Sequence, residues 1–196
     1  MKENPIVMGI DDAPFNFPNR VTGDSTPPRE DTPVVGVTCK GYFLVGLDKT
    51  QVRIDGRDAA DQVEAMIRSS KHFGEIQYVL LDGIALGGFN IVDCETLAHN
   101  LELPVITVST KQPNFGAMRD AIQQHFSDAE ERLELLETLG YPRELQVPMD
   151  AGTTTIFFQP FGTPAQPAEE LLHVLCRRSK VPEPLRLAHL IASILC

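Results

Sequence analysis

Apolar residues are distributed along this chain in two distinct rhythms, and the alternation between them lays out the fold. Pro5–Ile10, Val79–Leu81 and Pro104–Ser109 are short apolar runs without polar alternation. Such runs are expected of strands covered on both faces and therefore central in a sheet. Val34–Cys39 and Tyr42–Leu47 are strand-like and joined through Lys40-Gly41, which predicts a hairpin. Gln51–Asp55 is then a third such strand, or the end of the second after a bulge. Between Ala59 and Ser70 the rhythm changes to helical spacing, with Ala60, Val63, Met66 and Ile67 inward and Asp58 placed to cap. Further helices are predicted from about Asn90 to Asn100, from Pro113-Asn114 to about Phe126, over Asp128–Gly140, near Pro167–Ser179 and over Pro184–Leu195. Thr153–Gln159 has strong β propensity and is expected to pair with Arg143–Val147.

In chain order these elements give strand, loop, antiparallel meander, helix, strand, helix, strand and then more helices. A helix between the last two strands of the core makes them parallel. The expectation is one domain over residues 1–196, of α/β class. Its core is a ribonuclease H-like mixed five-stranded sheet flanked by helices, with extra strand and helix elements toward the C-terminus. The stretch 15–33 has no period and is rich in Pro, Asn and Ser, which predicts a long loop. Phe15 is expected to pack inward. Arg20–Pro33 is expected to be mobile and to close over bound substrate.

Composition narrows the class. With 42% hydrophobic and 22% charged residues the chain is an ordinary globular protein. A net charge of −10 argues against a broad basic grip on nucleic acid, but not against local handling through a divalent metal and a few cations. Cys39, Cys94, Cys176 and Cys196 show no metal or disulfide spacing. With no apolar signal region near Met1 and no run long enough to span a membrane, the expected location is cytoplasmic.

Three acidic residues stand where predicted strands run out: Asp11, Asp55 and Asp82. Asp82 passes straight into the glycines of Gly83-Ile-Ala-Leu-Gly87-Gly88, which allow positive φ or close approach to a ligand. In open α/β sheets, ligands collect at the carboxyl ends of strands. Carboxylates converging there repel one another and do not all stay ionised unless a cation neutralises them. Oxygen ligands with room for water suit Mg²⁺ or Mn²⁺, and a pair of such ions, roughly 4 Å apart, serves phosphodiester hydrolysis.

Five stretches taken together resemble one family: Gly9–Phe15 (GIDDAPF), Arg53–Ile67 (RIDGRDAADQVEAMI), Val79–Asp93 (VLLDGIALGGFNIVD), Leu103–Asn114 (LPVITVSTKQPN) and Pro182–Ala192 (PEPLRLAHLIA). They look like the endonuclease dU-like family, long described as a domain of unknown function and related to endonuclease V. The resemblance implies a ribonuclease H-like fold and divalent-metal-dependent cleavage of DNA at deoxyuridine. It also implies a first-strand aspartate at Asp11, an aspartate in a D-G pair at Asp82, and a lysine after the fifth strand at Lys111. The glutamate that endonuclease V carries on its third strand has no match, and Asp55 stands in for it as the nearest acidic residue. The Tyr-Pro-containing wedge of endonuclease V is not recognisable.

The expected site is therefore Asp11, Asp55, Asp82 and Lys111, with Asp11, Asp55 and Asp82 as metal ligands. Asp12, Glu183 and His189 are second-rank candidates. Asp12 equally caps a turn, Glu183 suits the start of a helix framed by Pro182 and Pro184, and His189 equally belongs to an apolar core. Lys111 is placed to hold a scissile phosphate or is a solvated surface lysine. Asp58, Asp93 and Glu95 read as helix-cap and dipole partners. The competing readings are a ribonuclease H-like module that binds nucleic acid or protein without cutting, and a nuclease acting on RNA.

Overall fold

The computed structural model describes residues 4–15, 30–150 and 152–195. Its strands are β1 (Ile6–Asp12), β2 (Asp31–Lys40), β3 (Phe43–Arg53), β4 (Tyr78–Asp82), β5 (Ala85–Leu86), β6 (Asn90–Ile91), β7 (Val105–Ser109), β8 (Arg143–Met149) and β9 (Gly152–Phe161). Its helices are α1 (Ala59–Ser69), α2 (Cys94–Leu101), α3 (Phe115–His125), α4 (Ala129–Leu139), α5 (Ala165–Leu175) and α6 (Glu183–Ala192). One seven-stranded sheet runs in the order β3-β2-β1-β4-β7-β9-β8, and β5 and β6 form a separate two-stranded ribbon. The antiparallel meander, the parallel β1–β4 and β4–β7 pairs and the β8–β9 hairpin are as the sequence predicts. The fold is ribonuclease H-like, with the hairpin added at one edge.

Several boundaries move for physical reasons. Strand β2 begins at Asp31, so the last residues assigned to the long loop belong to the sheet: Ala13 N–H donates to the Pro33 carbonyl and the Thr32 hydroxyl to the Ala13 carbonyl. The rest of that loop's predicted mobile part, residues 20–29, and Phe17 lie outside the described residues. Phe15 is half-buried. Gln51–Arg53 completes β3, and the bulge falls at Val45 of that strand, between the Thr38–Gly46 and Cys39–Leu44 pairs. The helix expected from Asn90 begins instead at Cys94, because Asp93 accepts the Thr96 N–H and fixes the start there.

Side-chain parity assigns each strand face to a helical layer. Met8 and Ile10 of β1, with Val79 and Leu81 of β4, share a core with Val63 and Ile67 of α1 and Leu97 of α2. The intervening residues point the other way: Val7 and Leu80 pack with Leu171 and Leu172 of α5 and Leu185 of α6. Val35, Val37 and Cys39 of β2 complete that second side beneath Ala188 and Ala192 of α6. Because the period of a strand is two, Asp11 and Asp82 fall on the α5/α6 side and Asp12 on the α1/α2 side.

Helix α6 lies unusually close to the sheet because Gly9 has no side chain. A Cβ on Gly9 would stand 2.4 Å from the Pro184 carbonyl carbon and 2.5 Å from the Leu185 nitrogen, both backbone atoms that cannot swing away. A Cβ on Gly36 would meet only flexible Met66 and Met8 side-chain atoms, the nearest at 3.0 Å. Gly9→Ala is therefore expected to lower stability by about 1–3 kcal/mol or more through overpacking, and Gly36→Ala by clearly less. Denaturant melts of both variants check this; equal midpoints would show that α6 does not depend on the gap at Gly9.

Candidate metal centre

Strands β1 and β4 run parallel in register, with Gly9 opposite Leu80 and Ile10 opposite Leu81. One step further along, this register sets Asp11 beside Asp82 on the same face. Helix α6, seated on Gly9, adds His189 from above. One donor atom each from Asp11, Asp82 and His189 lies within 4.8 Å of the others, the only such group of three His, Cys, Asp or Glu side chains among the described residues. His189 Nδ1 is 2.8 Å from Asp11 Oδ2, and the other Asp11 oxygen accepts the Asp12 N–H at 2.9 Å.

Asp11 is buried, and burial, reinforced by the Asp82 carboxylate and opposed by the His189 hydrogen bond, pushes its pKa up to about 7. Asp82 presents an exposed edge, yet the protein around its carboxylate removes enough water to raise its pKa as well; His189 opposes that rise and Asp12 adds to it. Asp12 is also raised by burial, against the pull of the Gly87 N–H. A pocket that holds acids above their usual range is one a cation relieves. Two carboxylates and an imidazole fit a divalent ion such as Mn²⁺ or Mg²⁺, the imidazole leaning toward the transition metal.

The remaining sequence-predicted residues stand as follows. Asp55 does not join Asp11 and Asp82. It follows the edge strand β3, separated from β1 by all of β2, or roughly 10 Å at the usual strand spacing. Its backbone is left-handed (φ 57°), its carboxylate accepts the Phe89 N–H at 2.9 Å, and its own N–H donates to the Gly87 carbonyl. Asp55 holds the glycine loop. Asp12 holds the same loop from the other end, accepting the Gly87 N–H at 2.9 Å. Glu183 forks onto Arg186 with contacts of 2.7 and 2.8 Å and is not among the three. Lys111 follows β7, whose Val108 pairs with Asp82; it is exposed and makes no salt bridge among the described residues. Asp58 occupies the cap position of α1 without capping it; it accepts the Arg53 N–H, while Asn90 accepts the Ala59 N–H.

Two residues with structural roles at the site escaped the sequence reading. Asn90 ties the glycine loop to α1 and to the end of β3. Arg132 donates to the carbonyls of Asp55, Gly56 and Phe89 at 2.8, 3.0 and 2.7 Å, and its guanidinium lies over the Phe126 ring. The signal for Arg132 was present: it shares the buried stripe of α4 with Leu136 and Leu139, and a cation in an apolar stripe requires partners.

The raised Asp11 carries a stability cost that depends on pH. Between its unfolded value, near 3.8, and its folded value of about 7, the folded chain retains a proton that the unfolded chain has released. Stability therefore falls as pH rises through that window and levels off above it. Asp11→Asn removes the cost, so the metal-free variant is expected to be more stable than the parent at pH 8, by up to a few kcal/mol. The advantage should shrink toward pH 4. Thermal melts in chelator across that range test it; an advantage independent of pH would mean that Asp11 titrates normally.

Residues 5–196 match the family described as endonuclease dU. A UPF0215 protein of Thermococcus sibiricus is 38% identical over 188 residues, covering 95% of this chain and 90% of its own. Among solved structures, a protein of unknown function from Archaeoglobus fulgidus superposes with a TM-score of 0.79 at 30% identity, covering 96% of each chain. Endonuclease V of Ciona intestinalis, crystallised with a 24mer DNA containing an inosine followed by a ribo-adenosine, superposes with a TM-score of 0.58 at 15% identity. That alignment covers 96% of this chain and 84% of the other, and the likeness is one of fold. The match over almost the entire chain and the close relative together establish that the protein belongs to the endonuclease dU family.

Proposed function

We propose that this protein is a divalent-metal-dependent endonuclease that hydrolyses phosphodiester bonds in DNA near deaminated bases such as deoxyuridine. The observation that carries the reading is the convergence of Asp11, Asp82 and His189 at the carboxyl ends of β1 and β4. A bound Mg²⁺ or Mn²⁺ would supply charge neutralisation of the phosphate and activation of water. Asp11 and Asp82 would hold that ion, and His189 would fix the Asp11 carboxylate while offering a nitrogen donor. Lys111, which follows the neighbouring strand and is exposed, would meet a phosphate.

A cleft of about 590 Å³, walled by Pro113, Phe115, Tyr141, Pro142 and Phe157, opens on the opposite face of the sheet from Asp82. A narrower recess shares four of those residues and reaches Gly83, next to Asp82. Phe115 and Tyr141 meet edge to face at 4.8 Å, and Tyr141 is 67% exposed. Aromatic walls that reach the centre only around the strand end at Gly83 would suit a base turned out of its stack.

Oligonucleotides carrying deoxyuridine, deoxyinosine or a ribonucleotide, incubated with Mg²⁺ or Mn²⁺, test the activity and its substrate. Asp82→Asn is expected to slow cleavage by several kcal/mol, roughly a thousandfold, with the fold intact. Asp55→Asn, whose amide oxygen can still accept the Phe89 N–H, is expected to stay within about tenfold of the parent. Metal binding without cleavage of any substrate would favour a binding module instead. Loss of cleavage in Asp55→Asn as deep as in Asp82→Asn would return Asp55 to the ligand set. Apparent Mn²⁺ affinity, read by calorimetry, should climb by about tenfold per pH unit below pH 7 as Asp11 gives up its proton, then level.

A further inference from the structure

The end of β1 that carries Asp11 and Asp12 is held unevenly. Its pairing with β2 continues to Asp12, opposite Val34, whereas its ladder with β4 stops at Ile10, opposite Leu81. Beyond Ile10 a different contact takes over: the Gly87 N–H donates to Asp12 Oδ2 at 2.9 Å. The Asp12 N–H donates in turn to Asp11 Oδ1 at 2.9 Å, so the direction of the Asp11 carboxylate depends on where the Asp12 backbone lies.

Gly87 can hold Asp12 only while its own turn stays in place. That turn joins β5 to β6 through Gly87 and Gly88, both at positive φ, and a ribbon of two-residue strands is too short to fix it alone. Asp55 fixes it from one side, its N–H donating to the Gly87 carbonyl at 2.7 Å and its carboxylate accepting the Phe89 N–H. Arg132 reaches in from α4. Its Nη2 donates to the Asp55 carbonyl at 2.8 Å, and its Nη1 to the carbonyls of Phe89 and Gly56 at 2.7 and 3.0 Å. Its Nε donates to Asp128, one turn back on α4, at 2.9 Å. The side chain is only 7% exposed and lies over the Phe126 ring. A planar fork serves acceptors in these several directions at once, which an ammonium group does not.

We propose that Arg132 is a positioning residue for the metal centre: by fixing the Gly87–Phe89 turn through Asp55 it sets the end of β1, and so the direction in which Asp11 presents its carboxylate to a cation shared with Asp82 and His189. Four hydrogen bonds in series make the connection, from Arg132 to the Asp55 carbonyl, Asp55 N–H to Gly87, Gly87 N–H to Asp12 and Asp12 N–H to Asp11. The rival role is that Arg132 merely staples α4 to the sheet. Its charge, however, is already answered by Asp128 on its own helix, while its remaining contacts go to backbone carbonyls of the two segments that hold Gly87. Groups that orient a metal ligand without touching the ion are a usual part of such sites. The inference rests on the metal-binding reading of Asp11, Asp82 and His189, and not on which substrate is cut.

Two variants of α4 separate the roles. Arg132→Lys keeps the charge and loses the fork, whereas Leu136→Ala, in the same buried stripe, loosens the helix but removes none of these hydrogen bonds. Both are expected to melt earlier than the parent. Calorimetry at pH 8 is expected to show Mn²⁺ bound roughly tenfold more weakly by Arg132→Lys and with parental affinity by Leu136→Ala. Asp12→Ala should also weaken binding, and its double variant with Arg132→Lys no further than the weaker single, because both release the same tie. In the metal-free chain, exchange of the Gly87 and Phe89 amides should quicken in Arg132→Lys but not in Leu136→Ala. On the parent, Mn²⁺ should slow exchange at those amides, since coupling is reciprocal, and this arm stands even if the variants fail to fold. Parental affinity in Arg132→Lys, losses that multiply in the double variant, or parent amides indifferent to Mn²⁺ overturn the proposal. A parent that takes up no Mn²⁺ instead overturns the metal centre, and this role with it.

Discussion

Two carboxylates held side by side on one face of a parallel strand pair, where burial has removed much of their water, are the constraint on which this structure turns. The backbones of Asp11 and Asp82 are held side by side, because both end strands locked in register with each other. Desolvation raises both acids, reinforced at Asp11 by the Asp82 carboxylate and at Asp82 by Asp12. Helix α6 answers that strain in part, bringing His189 into hydrogen-bond contact, and it can do so only because Gly9 lets its backbone touch β1. A divalent ion would answer the rest. The site is thus a consequence of strand register and of one missing side chain.

The surrounding acidic residues serve a different end. Asp12 and Asp55 both spend their carboxylates on backbone N–H groups of the loop between Gly87 and Phe89, and Arg132 collects three carbonyls from the same region. Gly87 and Gly88 have positive φ, so this loop takes a path that most residues resist, and the hydrogen bonds hold it there. The result is a fixed wall beside Asp82. An acidic residue near the candidate centre can thus build its wall without joining Asp11, Asp82 and His189.

Much of this was legible in the chain. Unalternated runs ending in carboxylate located β1 and β4, and the place of these two strands as neighbours in a ribonuclease H-like sheet brought Asp11 and Asp82 together. The third member of the cluster was harder to read. Asp55 stood in for an unmatched third-strand glutamate as the nearest acidic residue, but a strand end only delivers its residue within reach if no strand intervenes, and β2 intervenes. His189 was named but ranked second because apolar neighbours in sequence suggested a core; on the helix those neighbours occupy other faces, and its side chain is 64% exposed. The choice between Asp11 and Asp12 rested on parity, which becomes decisive once the helical layers are known. Asp58 and Asn90 exchanged the expected capping role because the cap of α1 comes from a residue 31 positions away, which no local pattern reports.

The central claim is the proposal that a divalent ion binds among Asp11, Asp82 and His189. Anomalous diffraction from crystals of the protein grown with Mn²⁺ tests it most directly. The account predicts a strong anomalous peak within ligand distance of the Asp11 and Asp82 carboxylates and of a His189 ring nitrogen, with Asp55 still bonded to the Phe89 N–H. A peak bound by Asp55, or one that leaves Asp11 and Asp82 without metal, would contradict it.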